Sequence, residues 1–134
     1  MELKHAYLTN QILKAFYDVY NTLGHGFLER VYQNALFFEL QNRGFTVEAQ
    51  KRIKVYYQER EVGEYFADIV VNDLVILELK AAECIVEAFE LQLTNYLKAT
   101  NIEVGLLLNF GEKPEIRRKM WVNDQKKLPN QNPF

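Results

Sequence analysis

At 134 residues the chain has room for one domain around one hydrophobic core. An apolar fraction of 49% and a charged fraction of 25% are ordinary globular composition and argue against disorder in the body of the chain. The net charge of −2 excludes the strongly basic kind of protein that coats nucleic acid by charge alone, so any such contact needs a local patch. No apolar run approaches the roughly 20 residues that span a bilayer. The opening stretch MELKHAYLTNQ has no apolar h-region, so neither membrane insertion nor a secretory signal is expected. The single cysteine, Cys84, cannot form an internal disulfide and excludes a cysteine-held zinc or iron–sulfur centre. A cytoplasmic location is expected.

Leu8, Ile12, Phe16, Val19 and Leu23 recur at three- and four-residue spacing and predict a first helix, with Thr9 as its cap and Gly24 and Gly26 at its end. Leu28, Val31, Ala35 and Phe38 carry a second helix that stops near Gly44. The period then changes. Residues 45–58 and 61–71, rich in Val, Ile, Tyr and Phe, predict strands, and Leu74 to Lys80 predicts a third. Ile85, Phe89, Leu93 and Leu97, at four-residue spacing, predict another helix. Val104 to Asn109 is a short, continuously apolar strand of the buried kind. A last short element lies around Ile116 to Val122. The order ααβββαβ plus a terminal element makes the fold class α/β, with a mixed sheet and helices on both sides. One domain is expected over residues 1–122, followed by a polar tail, 123–134, that frays or lies over the surface.

The charges fall in informative places. Leu74-Val-Ile-Leu-Glu78-Leu-Lys80 is a central-strand sequence interrupted by two ionisable residues, and period-two geometry puts Glu78 and Lys80 on one face with Ile76. Asp68 sits likewise inside Tyr-Phe-Ala-Asp-Ile-Val-Val. Burying an isolated carboxylate costs several kcal/mol or more, so such groups persist when paired or bound to a metal. For Glu78 and Lys80 alone a satisfied ion pair at a strand end is the commoner reading; Asp68 in the neighbouring strand shifts the balance. Gln92 and Tyr96, four apart, share one face of the following helix. Taken singly, Tyr96 reads as a core aromatic and Gln92 as a surface residue. Glu29, one turn into the second helix, reads on its own as a partner of the helix dipole. Lys113, Arg117, Arg118 and Lys119, with Lys126 and Lys127 further on, form the densest basic cluster, which fits a solvated face as well as a nucleic-acid patch. His5 and His25 have no metal-binding spacing and read as bystanders.

Together these residues resemble a known family. Gly26-Phe-Leu-Glu29-Arg-Val-Tyr32 is similar to the motif that names the GxxExxY proteins, and ADIVVNDLVILELKA, LQLTNYLKAT and GLLLNFG look like that family as well. The resemblance runs over roughly residues 5 to 122 and implies the PD-(D/E)XK nuclease superfamily, with a restriction-endonuclease-like mixed sheet flanked by helices. Gln92-x-x-x-Tyr96 resembles the helical motif of its RecB-like branch. By resemblance, Asp68 and Glu78 hold a divalent metal, Mg²⁺ or Mn²⁺, with the Leu79 carbonyl as a further ligand and Glu29 nearby. Lys80 orients the attacking water and steadies charge on the phosphate, and Gln92 and Tyr96 position the phosphate or the Glu78 and Lys80 side chains. The chain departs from many members at Phe89, where they carry histidine, and it lacks the cluster-binding cysteines of some RecB-like nucleases.

The implied function is a metal-dependent nuclease hydrolysing phosphodiester bonds, with DNA favoured over RNA as the nucleic-acid partner. The alternative is a nuclease-fold module that binds nucleic acid or a protein partner without cutting; a homo-oligomer also stays open. Everything turns on strand register. A two-residue turn, Asn72-Asp73, would put Asp68 across from Leu77 and on the face opposite Glu78. A three-residue loop, Asn72-Asp73-Leu74, would pair Val71 with Val75 and set Asp68 across from Glu78. Such loops usually need one αL residue, commonly glycine, and Leu74 is a poor choice for it, so a longer odd loop or a bulge is the other route. A shared metal requires the second register, against the simplest turn.

Overall fold

The computed structural model describes residues 3–128. Its elements are α1 (Ala6–Leu23), α2 (Glu29–Asn42), β1 (Val47–Tyr57), β2 (Arg60–Val71), β3 (Val75–Lys80), α3 (Glu87–Lys98), β4 (Val104–Phe110), β5 (Pro114–Met120) and a 3-10 turn at Asn123–Gln125. The strands form one sheet in the order β1-β2-β3-β4-β5. Only β3 and β4 are parallel; the other neighbours are antiparallel. A parallel pair needs a crossover, and α3 supplies it. The result is the expected α/β class, a mixed sheet flanked by helices. No helix among the described residues is long and apolar enough to cross a membrane.

Two apolar clusters hold the layers together. Ile12 and Phe16 of α1 and Tyr32 and Leu36 of α2 pack with Leu77, Leu79, Leu106 and Leu108 of the sheet. On the opposite side, Leu93, Tyr96 and Leu97 of α3 pack with Ile53, Ile76 and Leu107. Period-two alternation therefore sends the odd residues of β3 towards α1 and α2 and leaves Ile76 towards α3. The approach of α3 to the sheet is close. A Cβ on Gly105 of β4 would lie 2.7 Å from Leu93 Cδ1, so any larger residue there would force the Leu93 side chain to shift. Ahead of α3, the buried Asn109 side chain brackets Ala82, accepting its N–H at 2.9 Å and donating to its carbonyl at 3.0 Å.

Two local expectations change. Thr9 is not a cap: α1 starts at Ala6, and the Thr9 hydroxyl donates to the His5 and Ala6 carbonyls, both at 3.2 Å. A hydroxyl one turn inside a helix back-bonds in this way. The buried stripe of α2 is Tyr32, Leu36 and Leu40, while Leu28, Val31 and Phe38 are exposed. Tyr32 wins the core position because both of its ends are satisfied there. Its ring stacks on Phe110 at 4.3 Å, and its hydroxyl donates to the Gly24 carbonyl at 2.6 Å and accepts the Phe27 N–H at 3.2 Å. The helix is thereby turned about one residue from the purely aliphatic reading. Past residue 122 the chain lies against the domain, one of the two arrangements expected of it. Asn123 N–H donates to Glu103 Oε2 at 2.7 Å, and Lys126 Nζ donates to the Thr100 and Ile102 carbonyls at 2.9 and 2.7 Å. The first part of the expected tail is thus fastened to the domain; residues 129–134 lie outside the described residues.

The hairpin register is the one that the nuclease reading requires. Val71 pairs with Val75, Val70 with Ile76 and Ile69 with Leu77, so the next position sets Asp68 across from Glu78. The connection is the three-residue loop Asn72-Asp73-Leu74, closed by the Leu74 N–H donating to the Val71 carbonyl at 2.9 Å. The objection from Leu74 dissolves because Asn72 (φ 53) and Asp73 (φ 54) take the left-handed conformations instead. Asn and Asp tolerate αL better than other non-glycine residues. Asn72 is also clamped to the start of β1: its N–H donates to the Thr46 carbonyl, and the Thr46 N–H donates to Asn72 Oδ1, each at 2.8 Å. We expect Asn72→Ala to lose about 1–3 kcal/mol, the αL cost plus one hydrogen bond, and Asn72→Gly to lose less. Urea unfolding midpoints of the two variants measure this; equal losses would mean that the backbone conformation contributes nothing.

Candidate functional site

Beyond the Ile69–Leu77 pair the β2–β3 ladder ends, and side chains occupy the fork that opens. The Asp68 N–H donates to Glu78 Oε1 at 3.1 Å, and the Leu79 N–H donates to Asp68 Oδ2 at 2.8 Å. Each carboxylate thus accepts a backbone N–H of the opposite strand and stands where a carbonyl would continue the ladder. That exchange satisfies the strand edges and leaves the second oxygen of each carboxylate for other work. Glu78 is only 3% exposed; Asp68 is half-buried. Burial raises the Glu78 pKa well above its ordinary value, and the Asp68 charge raises it further. Burial also raises Asp68, against the lowering pull of the Leu79 N–H and the Lys80 charge.

Lys80, at the end of β3, supplies the positive charge that opposes both shifts. Its Nζ donates to Gln92 Oε1 at 3.0 Å and lies 4.6 Å from the centre of the Phe89 ring. Gln92 Nε2 donates in turn to the Tyr96 hydroxyl at 3.1 Å. The i, i+4 spacing on α3 thus becomes a relay, Lys80 to Gln92 to Tyr96, in which each group fixes the next. Tyr96 is pushed up to about 12, chiefly by burial with help from the Glu78 charge, so its phenol stays protonated at neutral pH.

These side chains line one cavity of about 280 Å³. Glu29, exposed in the first turn of α2, lines it too, as do Arg30 and Gln33. All the site residues singled out in the sequence, Glu29, Asp68, Glu78, Leu79, Lys80, Gln92 and Tyr96, therefore meet in one place. Glu29 stands at the mouth rather than beside the carboxylate pair. Among the described residues no three His, Cys, Asp or Glu side chains come together as a ligand group.

Sequence reasoning missed Gln50, Phe66 and the part played by Phe89. Gln50 holds a left-handed conformation (φ 52) within β1, flanked by the pairs Ala49–Ile69 and Lys51–Ala67 and so across from Asp68. Its amide donates to Gln33 Oε1 at 2.7 Å and at 3.4 Å to Asp68 Oδ1. Nothing in the local sequence marks it, because its strain arises only where two strands meet. Phe89 was legible as a partly buried helix residue but not as the ring over Lys80.

The basic cluster does not act as one patch. Arg118 donates to the Lys4 carbonyl at 2.6 Å, Lys119 pairs with Glu90 of α3 at 2.6 Å, and Lys126 is taken up by the two carbonyls described above. Alternation along β5 sends adjacent basic residues to different neighbours.

A family model of the PD-(D/E)XK nuclease superfamily matches residues 6–119. No curated protein and no solved structure matches the chain. The five-stranded mixed sheet flanked by helices agrees with the restriction-endonuclease-like architecture of that superfamily.

The raised carboxyl pKa values make the metal-free protein sensitive to pH. Between the ordinary Glu78 value of 4.5 and its raised value in the fold, the folded chain binds more protons than the unfolded one. Stability therefore falls as pH rises through that window and levels off above it. Glu78→Gln keeps an acceptor for the Asp68 N–H and removes the buried charge. Melting temperatures in EDTA from pH 4 to 8 should fall for the wild type and lie flatter and higher for Glu78→Gln at neutral pH; identical curves would refute the assignment to Glu78.

Proposed function

The chain belongs to the PD-(D/E)XK nuclease superfamily, and from that membership we propose that it is a metal-dependent nuclease hydrolysing phosphodiester bonds, in DNA rather than RNA. The supporting observation is the fork: two carboxylates held by backbone N–H groups, buried together, with a lysine beside them. Confining two like charges at low solvent exposure is costly unless a cation joins them. The donor set fits a hard one. Asp68, Glu78 and the Leu79 carbonyl offer oxygen, and the cavity lining contains neither histidine nor cysteine, which favours Mg²⁺ or Mn²⁺ over Zn²⁺. Such an ion, when bound, lowers the pKa of water and offsets charge on the phosphate. Glu29 is proposed as an outer contributor at the mouth of the cavity.

The chain's own residues supply the rest. Lys80 presents a fixed positive charge where negative charge grows on the phosphate oxygens, the kind of preorganised contact that acts mainly on the transition state. Gln92 keeps Lys80 from swinging away, because its oxygen faces the ammonium while its nitrogen is engaged by Tyr96. Tyr96, protonated, has a hydroxyl hydrogen to offer a phosphate oxygen. The Gln92–Tyr96 pair supports the RecB-like branch as the affiliation within the superfamily.

Labelled DNA and RNA incubated with the protein in Mg²⁺, Mn²⁺ or EDTA should show cleavage that depends on the metal. Binding of either nucleic acid without cutting under every condition would favour the non-catalytic module instead. Calorimetric titration should show Mn²⁺ binding that Asp68→Asn or Glu78→Gln removes; undiminished binding in both variants would end the shared-metal proposal. Lys80→Ala should lower kcat by about 10²–10³ while leaving KM and metal affinity little changed. A variant with normal kcat and raised KM would make Lys80 a simple phosphate anchor.

A further inference from the structure

A second cavity, of about 580 Å³, lies between the β1–β2 hairpin and α3. That volume is in the range of roughly 300–1,000 Å³ typical of small-molecule sites. It shares a wall with the carboxylate cavity, since Gln92 and Tyr96 line both. Tyr56 and Tyr65 line it from the hairpin and Leu91 from α3, and the Tyr65 ring, half exposed, lies 5.6 Å from that of Tyr96. The charge around it is one-sided. Lys54, Lys98 and Lys127 belong to its lining, and among the described residues no carboxylate does, in a chain whose net charge is −2. Lys54 makes a long ion pair, 4.0 Å from Glu61, and Lys98 lies over the Trp121 ring at 4.5 Å.

We infer that this cavity receives an unpaired nucleobase of the strand whose phosphate lies at Asp68, Glu78 and Lys80, which makes the substrate single-stranded or locally frayed nucleic acid. The inference rests on the phosphodiesterase reading for the place of the phosphate. Aromatic faces beside lysines are the chemistry of single-strand binding, in which bases stack on rings and the backbone follows positive charge. A base still stacked in a duplex cannot enter a cavity walled by a helix and a hairpin; it must first leave the stack. The shared wall explains why the two sites act on one strand: Tyr96 offers its hydroxyl end to the phosphate side and its ring to the base side.

Fluorescence anisotropy in EDTA separates this inference from the catalytic one, because no cutting is needed to read it. The probes are labelled oligothymidylate, oligodeoxyuridylate, oligouridylate, a blunt duplex, and oligothymidylates carrying one abasic residue at each position in turn. The single strands should bind at least about tenfold more tightly than the duplex, and one abasic position should weaken binding about tenfold. A preference between oligodeoxyuridylate and oligouridylate, which differ only in the 2′-hydroxyl, then names the sugar. Tyr56→Ala should abolish the abasic penalty, as should Ala88→Trp, which fills the cavity from an exposed position on α3. Neither variant touches the carboxylates, and melting curves report whether each is folded. Equal binding of duplex and single strand, or an abasic penalty that persists in Tyr56→Ala, would overturn the inference. Intact single-strand binding with no cleavage in Mg²⁺ or Mn²⁺ would overturn the catalytic reading and leave this one standing.

Discussion

Where β2 and β3 part, two carboxylates take over the bonds that the backbone ladder would have made. Asp68 and Glu78 each accept an N–H from the opposite strand, so strand pairing and site formation are one event. This constraint reaches outward. It demands the register set by the Asn72-Asp73-Leu74 loop, and that loop is clamped to β1 through Thr46. It also demands that both carboxylates be tolerated at low solvent exposure, where burial raises the proton affinity of each and the Asp68 charge raises that of Glu78 further. The chain therefore carries a local instability at the site proposed for its chemistry, a familiar relation between strain and function.

The surrounding elements hold the fork open. On one side Gln50, in a left-handed conformation that costs a non-glycine residue about 1–2 kcal/mol, reaches Gln33 and Asp68 at once. On the other, α3 is pressed against β4 over Gly105, which fixes Gln92 and Tyr96 relative to Lys80. Phe89 covers the lysine from the same helix. Rigid elements on both flanks suit a site in which a displacement of about 1 Å costs much of the rate. The long β1–β2 hairpin extends past the short β3, and its tyrosines face α3 to form the larger cavity beside the site.

Most of the fold, and which residues gather in the candidate site, were legible in the sequence. The change from helical to period-two spacing after Gly44 marked the order of elements, and ionisable residues inside apolar strands marked Asp68, Glu78 and Lys80. Where the reading failed, the cause was a partner distant in sequence. α2 turned towards Phe110 because Tyr32 found a ring and two backbone groups there, which no count of aliphatic residues along the helix could disclose. Thr9 is an acceptable cap by residue type, yet it sits one turn inside the helix.

The amino-acid order by itself determined which side chains carry charge into the core, how far apart they sit along each element, and that oxygen rather than sulfur or imidazole is the available metal chemistry. Those properties are local, set by residue type and by the repeat of helix and strand. Register was decided only in three dimensions. Either turn was compatible with the residues Val71 to Val75, and the choice fell to the left-handed pair Asn72-Asp73 once Thr46 could bond to it. A shift of one residue would have put Asp68 and Glu78 on opposite faces, and the αL tolerance of Asn72 and Asp73 together with the hydrogen bonds to Thr46 favours the observed register.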